Sequence, residues 1–295
     1  MSMRAKVLLG LGLYLAIIIG VVVALGSSGR DLEFAPQNEF KLSPLFHVGS
    51  LGVNKAHLYI LAAGLLTAGT MLWISRRMRQ RPNKVQTVVE LACSMMRDNI
   101  TRGNMPDSMS ARWFPFVATL FLFIWFSNML GYLPLPTNIE HKVDIFGLKI
   151  PAFALYAATA NLSVPLVLTI AVFFVYNGVG VAKKGPVGYL KGLIPPGVPT
   201  FLKGPIFVLE IMSNFMRLLS LSVRLFANIL AGHLIILFMG GALAVLLGVA
   251  AVGVVSFPLA VALFLFEIVI VATLQAFIFA TLTAIYIGGA AAESH

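Results

Sequence analysis

Between residues 210 and 228 an otherwise apolar stretch carries Glu210, Asn214, Arg217, Arg224 and Asn228. At about 100° per residue these five side chains share an arc of about 80°, with Ser213 and Ser220 at its edge. A helix here therefore bears one polar stripe. His233 follows Arg224 by nine residues and falls away from that stripe, and the next apolar region brings Glu267 and Gln275, eight residues apart. Carboxylates and imidazoles exchange protons, whereas an arginine in effect never loses its own. The set suits a relay of titratable groups approaching a fixed positive charge.

Each of these residues also has a structural reading. Arg217 snorkels to an interface if the region is two shorter helices. Glu210 either titrates in a water path, pairs with Arg217, or caps a helix. His233 and Glu267 form either a proton-carrying pair or a buried structural one. Asn228 and Gln275 serve equally well as hydrogen-bonding glue between helices. Arg224 is different, because SLSV precedes it and LFANIL follows it, with no helix end nearby. An arginine at such depth costs about 2.5 to 3.5 kcal/mol on insertion scales, so it is a functional residue by default.

The elements that hold these groups follow from composition. Of 295 residues 59% are hydrophobic and only 11% are charged, and the mean hydropathy is +0.93. No ordinary soluble domain has this balance. The apolar runs are continuous rather than alternating, which favours helices over a barrel. The predicted class is all-α, a polytopic helical membrane protein with spans near 7–26, 55–75, 113–133, 155–180, 203–250 and 257–290. The last two runs exceed the roughly 20 residues that suffice to cross a bilayer, which predicts a C-terminal hairpin of two long, tilted or broken helices, turning near Ser256 and Pro258. Residues 84–100 put Val85, Val88, Val89, Ala92, Met95 and Met96 on one face, as an amphipathic helix lying on the membrane surface does. KKGPVGYLKGLIPPGVPTFLKG reads as an irregular connection.

Topology accounts for the net charge of +10. With the N-terminus in the cytoplasm, fourteen of the basic residues fall on the cytoplasmic side and five on the other, and Arg217 and Arg224 lie within the membrane. This follows the positive-inside rule and excludes nucleic acid as the reason for the charge. Residues 1–26 form an N-terminal hydrophobic segment that reads as an anchor or a signal peptide. Residues 27–290 make a single channel domain of about five spans, and 291–295 a short tail, placed in the cytoplasm. Cys93 is the only cysteine, and no HExxH, phosphate loop or nucleophile–base set points to a metal, a cofactor or an enzyme.

The stretch SLSVRLFANILAGH resembles the a subunit of F-type ATP synthases, whose signature is an arginine in S-x-x-R-L-F-x-N-x-x-A-G. The likeness extends through LEIMSNFMRLLSLSVRLFAN, LQAFIFATLTAIYI, SNMLGYLP and RPNKVQTVVEL. It covers nearly the whole chain beyond the first 40 residues or so. The resemblance implies a proton-translocating stator subunit in a bacterial inner membrane, working with a c-subunit ring, peripheral-stalk b subunits, other ATP synthase subunits and the lipid bilayer. It makes no ATP bond itself and needs no cofactor. It further implies that Arg224 faces the ring carboxylates, that Glu210 and Asn228 line the proton path, with Glu210 in its cytoplasmic half, that His233 and Glu267 form the exterior half-channel, and that Gln275 packs near the arginine.

Two positions depart from the family pattern. Glu267 precedes Gln275 by eight residues where seven are expected, and Asn161 in TANLSVPL stands where an aspartate is common. Asn161 would then relay protons only through water. The rival class, a self-contained proton-coupled secondary transporter, would show an internal repeat or matching Gly- or Pro-interrupted segments, and neither is visible.

Overall fold

The structure is a computed structural model that describes residues 42, 44–48, 51–77, 84–133, 135–145, 148–194, 197–239 and 250–292. The expected 1–26 segment, residues 240–249 of the expected long span and the end of the tail lie outside them. Five described helices are long and apolar enough to cross a membrane. In order they are α1 (Lys55–Arg77), α3 (Asp107–Gly131), α4 (Ser163–Lys184), α6 (Lys203–Leu237) and a run from α7 (Ala250–Phe266) through a π-helical turn (Glu267–Val271) into α8 (Ala272–Ala291). Between α1 and α3 lie α2 (Lys84–Met95) and a second π turn, Met96–Arg102. The short α5 (Pro186–Gly192) follows α4.

Two antiparallel hairpins join this helical frame, β1 (Pro44–Val48) with β2 (Leu51–Asn54) and β3 (Leu135–Ile145) with β4 (Leu148–Ala154). The sequence reading did not foresee them. A connection outside the hydrocarbon satisfies its main chain by pairing with itself.

The described residues divide into two compact units, one within 231–270, the other within 42–230 and from 271 onward. In the larger unit α8 packs against α3 and α4, and α1 packs against α3. The α8 face that does so is a row of small residues, Ala272, Ala276, Ala280, Ala284 and Ala291, all buried. Without a hydrophobic drive between helices in lipid, close backbone approach at small residues is what holds a bundle together. Large apolar side chains such as Leu61, Leu65, Val167 and Phe174 point outward instead, where a bilayer solvates them.

Three expectations need correction. The span expected at 155–180 begins only at Ser163. Ala157 and Ala158 are fully buried beside Gly131, where an added Cβ would fall onto Ala157. These apolar residues are thus packed in protein rather than spanning, and Ala158–Ala160 forms a 3-10 turn. The span expected at 113–133 starts earlier, at Asp107. The connection after α4 is not wholly irregular, since α5 brings Tyr189 against Gly180, a position where any Cβ would collide with the tyrosine ring. Gln86 of α2 and Met96, the first residue of the π turn, are buried, while Leu91 and Met95 are exposed. Outward apolar residues suit a helix lying against lipid.

Candidate functional site

α6 is unbroken over 35 residues, about 52 Å at 1.5 Å per residue, so it must tilt or protrude from a core of about 30 Å. Between Ile206 and Ala231 it contains neither Gly nor Pro, which removes the alternative of two shorter helices for Arg217 and Arg224. The helix carries the polar stripe, but the structure divides it into two parts.

The first part lines a cavity of about 450 Å³ formed by Glu210, Asn214 and Arg217 with residues of α4, α5 and α8. Asn214 is its hub. The Tyr176 hydroxyl donates to Asn214 Oδ1 at 2.5 Å, and Asn214 Nδ2 donates to Asn177 Oδ1 at 3.1 Å. The Tyr189 hydroxyl donates to the same Asn177 oxygen at 2.7 Å. The Arg217 guanidinium lies 5.6 Å from the centre of the Tyr286 ring, within the range of a cation–π attraction. Burial pushes the Tyr189 phenol above its usual range, and the positive charge of Arg217 pulls partly the other way. Lys184 also lines the space. The arrangement is a polar, branched chain of amides and phenols in a space that one carboxylate and two cations also line. Such groups pass protons through ordered water or hold an ion at the mouth of a path.

The second part is open. Arg224 and Asn228 are exposed, as are Ser220, Val223 and Ala227 around them, while Leu221, Ser222, Leu225 and Ile229 are buried on the opposite side. Arg224 stands roughly 20 Å from the nearer end of α6. It makes no hydrogen bond or ion pair with another described residue.

His233 and Glu267 belong to the smaller unit. His233 is buried at 1% exposure. Glu267 opens the π turn, and a Cβ added at Gly232 would fall directly on its carboxylate. The glutamate side chain is thus laid against the backbone immediately before His233. A π turn bonds i to i+5 and takes up one more residue than an α turn. The eighth residue of the Glu267–Gln275 spacing falls within the part of the helix that can absorb it.

Gln275, at 6% exposure, is buried in α8. Asn161 has a local duty, because its Oδ1 accepts the Ser163 N–H at 3.0 Å and starts α4. The sequence reading missed Tyr176, Asn177, Lys184, Tyr189 and Tyr286. Tyr286 lay within LQAFIFATLTAIYI, but nothing local marks Tyr189, whose partner is brought to it by a separate helix. It also missed Asn128, a fully buried amide that accepts from Thr159 Oγ1 at 2.7 Å and donates to the Ala272 carbonyl at 3.2 Å.

Comparison with known proteins bears on residues 57–288, which match the family described as ATP synthase A chain. The chain is 31% identical to the ATP synthase subunit a of Bradyrhizobium diazoefficiens, covering 90% of this chain and 100% of that one. It is 34% identical to the ATP synthase subunit a of Maricaulis maris, over 88% and 98%, and 35% identical to that of Myxococcus xanthus, over 80% and 71%.

Proposed function

Because the chain belongs to the ATP synthase a-subunit family, we propose that it supplies two offset proton paths and a fixed charge between them, with Arg224 facing the carboxylates of a rotating c ring. The observation that carries this reading is the exposure of Arg224 on an otherwise apolar helix, far from either end. An uncovered guanidinium in hydrocarbon is costly, so the face requires a protein partner, and one that brings carboxylates matches its charge.

The reading assigns roles from the chemistry of each group. A proton enters from the exterior by His233 and Glu267 and neutralises a ring carboxylate, which then travels through lipid uncharged. On its return, Arg224 within about 4 to 6 Å favours the ionised carboxylate and drives the proton off. The released proton leaves by the cavity of Glu210, Asn214 and the tyrosines, which opens to the cytoplasm in this scheme. Arg224 holds its own charge throughout and so blocks a direct leak between the two paths. Asn228 lies one helical turn beyond it on the same face. Gln275 supports the packing of the hairpin near the arginine, and Asn161 serves the outer path only through water. The chain is non-catalytic in this scheme, sits in a bacterial plasma membrane with its C-terminus in the cytoplasm, and contacts peripheral-stalk b subunits as well as the ring.

The test is Arg224→Ala in inverted membrane vesicles. Both ATP-driven proton pumping and ATP synthesis are expected to fall to the level of vesicles lacking the subunit. Near-normal rates would overturn the role given to Arg224.

A further inference from the structure

A second recess lies in the larger unit, beside Arg112 and Lys183. It measures about 370 Å³ and is lined by Ser108, Met109, Arg112 and Trp113 from the first turns of α3, Val179, Ala182 and Lys183 from the end of α4, and Ala291 at the end of α8. Three helix termini therefore meet there, at one face of the membrane.

Its charge is one-sided. Arg112 and Lys183 line it, and among the described residues no carboxylate does. Asp98 in the preceding π turn and Asp107 at the start of α3 are both paired with Arg102, at 3.0 and 3.6 Å. Lys183 donates one hydrogen bond to the Ala291 carbonyl at 3.0 Å, which leaves two of its three N–H groups for a ligand. Arg112 is exposed and offers its planar fork of donors. Around these cations stand Met109, Val179, Ala182 and the indole of Trp113, a residue type that prefers the headgroup level. Two cations against a partly apolar wall fit an ion that is anionic at one end and greasy at the other. A free phosphate, fully hydrated, gains nothing from the apolar part.

We propose that this recess seats the phosphodiester of an anionic glycerophospholipid, with Arg112 and Lys183 on the phosphate oxygens and the chains lying along Met109, Val179 and Ala182. Basic pockets between helices at the membrane surface select such headgroups. The bound lipid fills the junction of α3, α4 and α8, where side chains alone leave a gap.

The chain has three tryptophans, Trp73, Trp113 and Trp125, so Trp73→Phe with Trp125→Phe leaves Trp113 as the reporter. The full chain is placed in nanodiscs containing phosphatidylcholine with a small fraction of brominated phosphatidylglycerol or brominated phosphatidylcholine, and Trp113 quenching is compared. The brominated anionic lipid is expected to quench at much lower mole fraction. Neutralising either base, by Arg112→Gln or Lys183→Gln, should reduce that preference about five-fold, and the double variant should abolish it. The charge-retaining variant, Arg112→Lys with Lys183→Arg, should keep a clear preference. Equal quenching by the two lipids, a preference that survives the double neutralisation, or one lost in the charge-retaining variant despite unchanged helical circular dichroism would each overturn the proposal. Added inorganic phosphate should leave the preference intact relative to chloride at equal ionic strength, and selective relief by phosphate would assign the site to the free ion instead.

Discussion

Arg217 and Arg224 sit two helical turns apart on one helix and have opposite surroundings. Arg217 shares its cavity with Glu210 and lies against the Tyr286 ring, whereas Arg224 looks outward with Ser220 and Asn228 beside it. Their common stripe was legible in the 3.6-residue period of α6, because periodicity fixes direction around an axis. Their difference was not, because it depends on what other helices bring alongside. Cys93 offers a direct test of local electrostatics on α2, outside the spanning helices. Burial raises its thiol pKa, Arg97 lowers it and Glu90 raises it further. The reactive thiolate is therefore scarcer at a given pH than in a free thiol. The rate of N-ethylmaleimide labelling against pH is expected to rise later than that of glutathione. Removing the lowering charge, by Arg97→Ala, should move the profile further up, and Glu90→Gln should move it down.

Helix length and type were legible from the apolar runs, but two departures from plain α-helix were not. The segment 155–162 was as apolar as a span, yet residues 156–160 proved to be buried in protein, with Ala157 against Gly131, a distinction that hydropathy cannot make because burial in protein and in lipid select the same residues. The π turn at Glu267–Val271 left one trace in the sequence, the spacing of eight to Gln275. If that turn is an absorbed extra residue, deletion of Val269 is expected to let α-helix run through. The shortened chain should accumulate in membranes at close to the normal level, whereas deleting one residue from the regular α8, such as Ile278, should abolish accumulation. Immunoblots of membranes distinguish these outcomes.

In the larger unit, one buried polar residue ties several elements together. Asn128 joins the end of α3 to the 158–160 turn and to the start of α8 through two hydrogen bonds, with no exposure to solvent. Asn128→Leu removes both bonds and leaves the Thr159 hydroxyl and the Ala272 carbonyl without these partners. A buried group deprived of its partner costs about 1 to 3 kcal/mol, so the variant is expected to lower the midpoint of denaturation in detergent by an amount matching that range, and Asn128→Asp should fare no better. The unbroken α6 has a mechanical consequence as well. Its stretch from Ile206 to Ala231 lacks any Gly or Pro, while Gly204, Pro205 and Gly232 flank it. A sideways load applied at Arg224 is therefore borne as elastic bending of one rod and passed to its ends, and the yielding points are the glycines, away from the guanidinium. Whatever slides past that charge meets it at a fixed height, because the compliance of the support has been placed elsewhere.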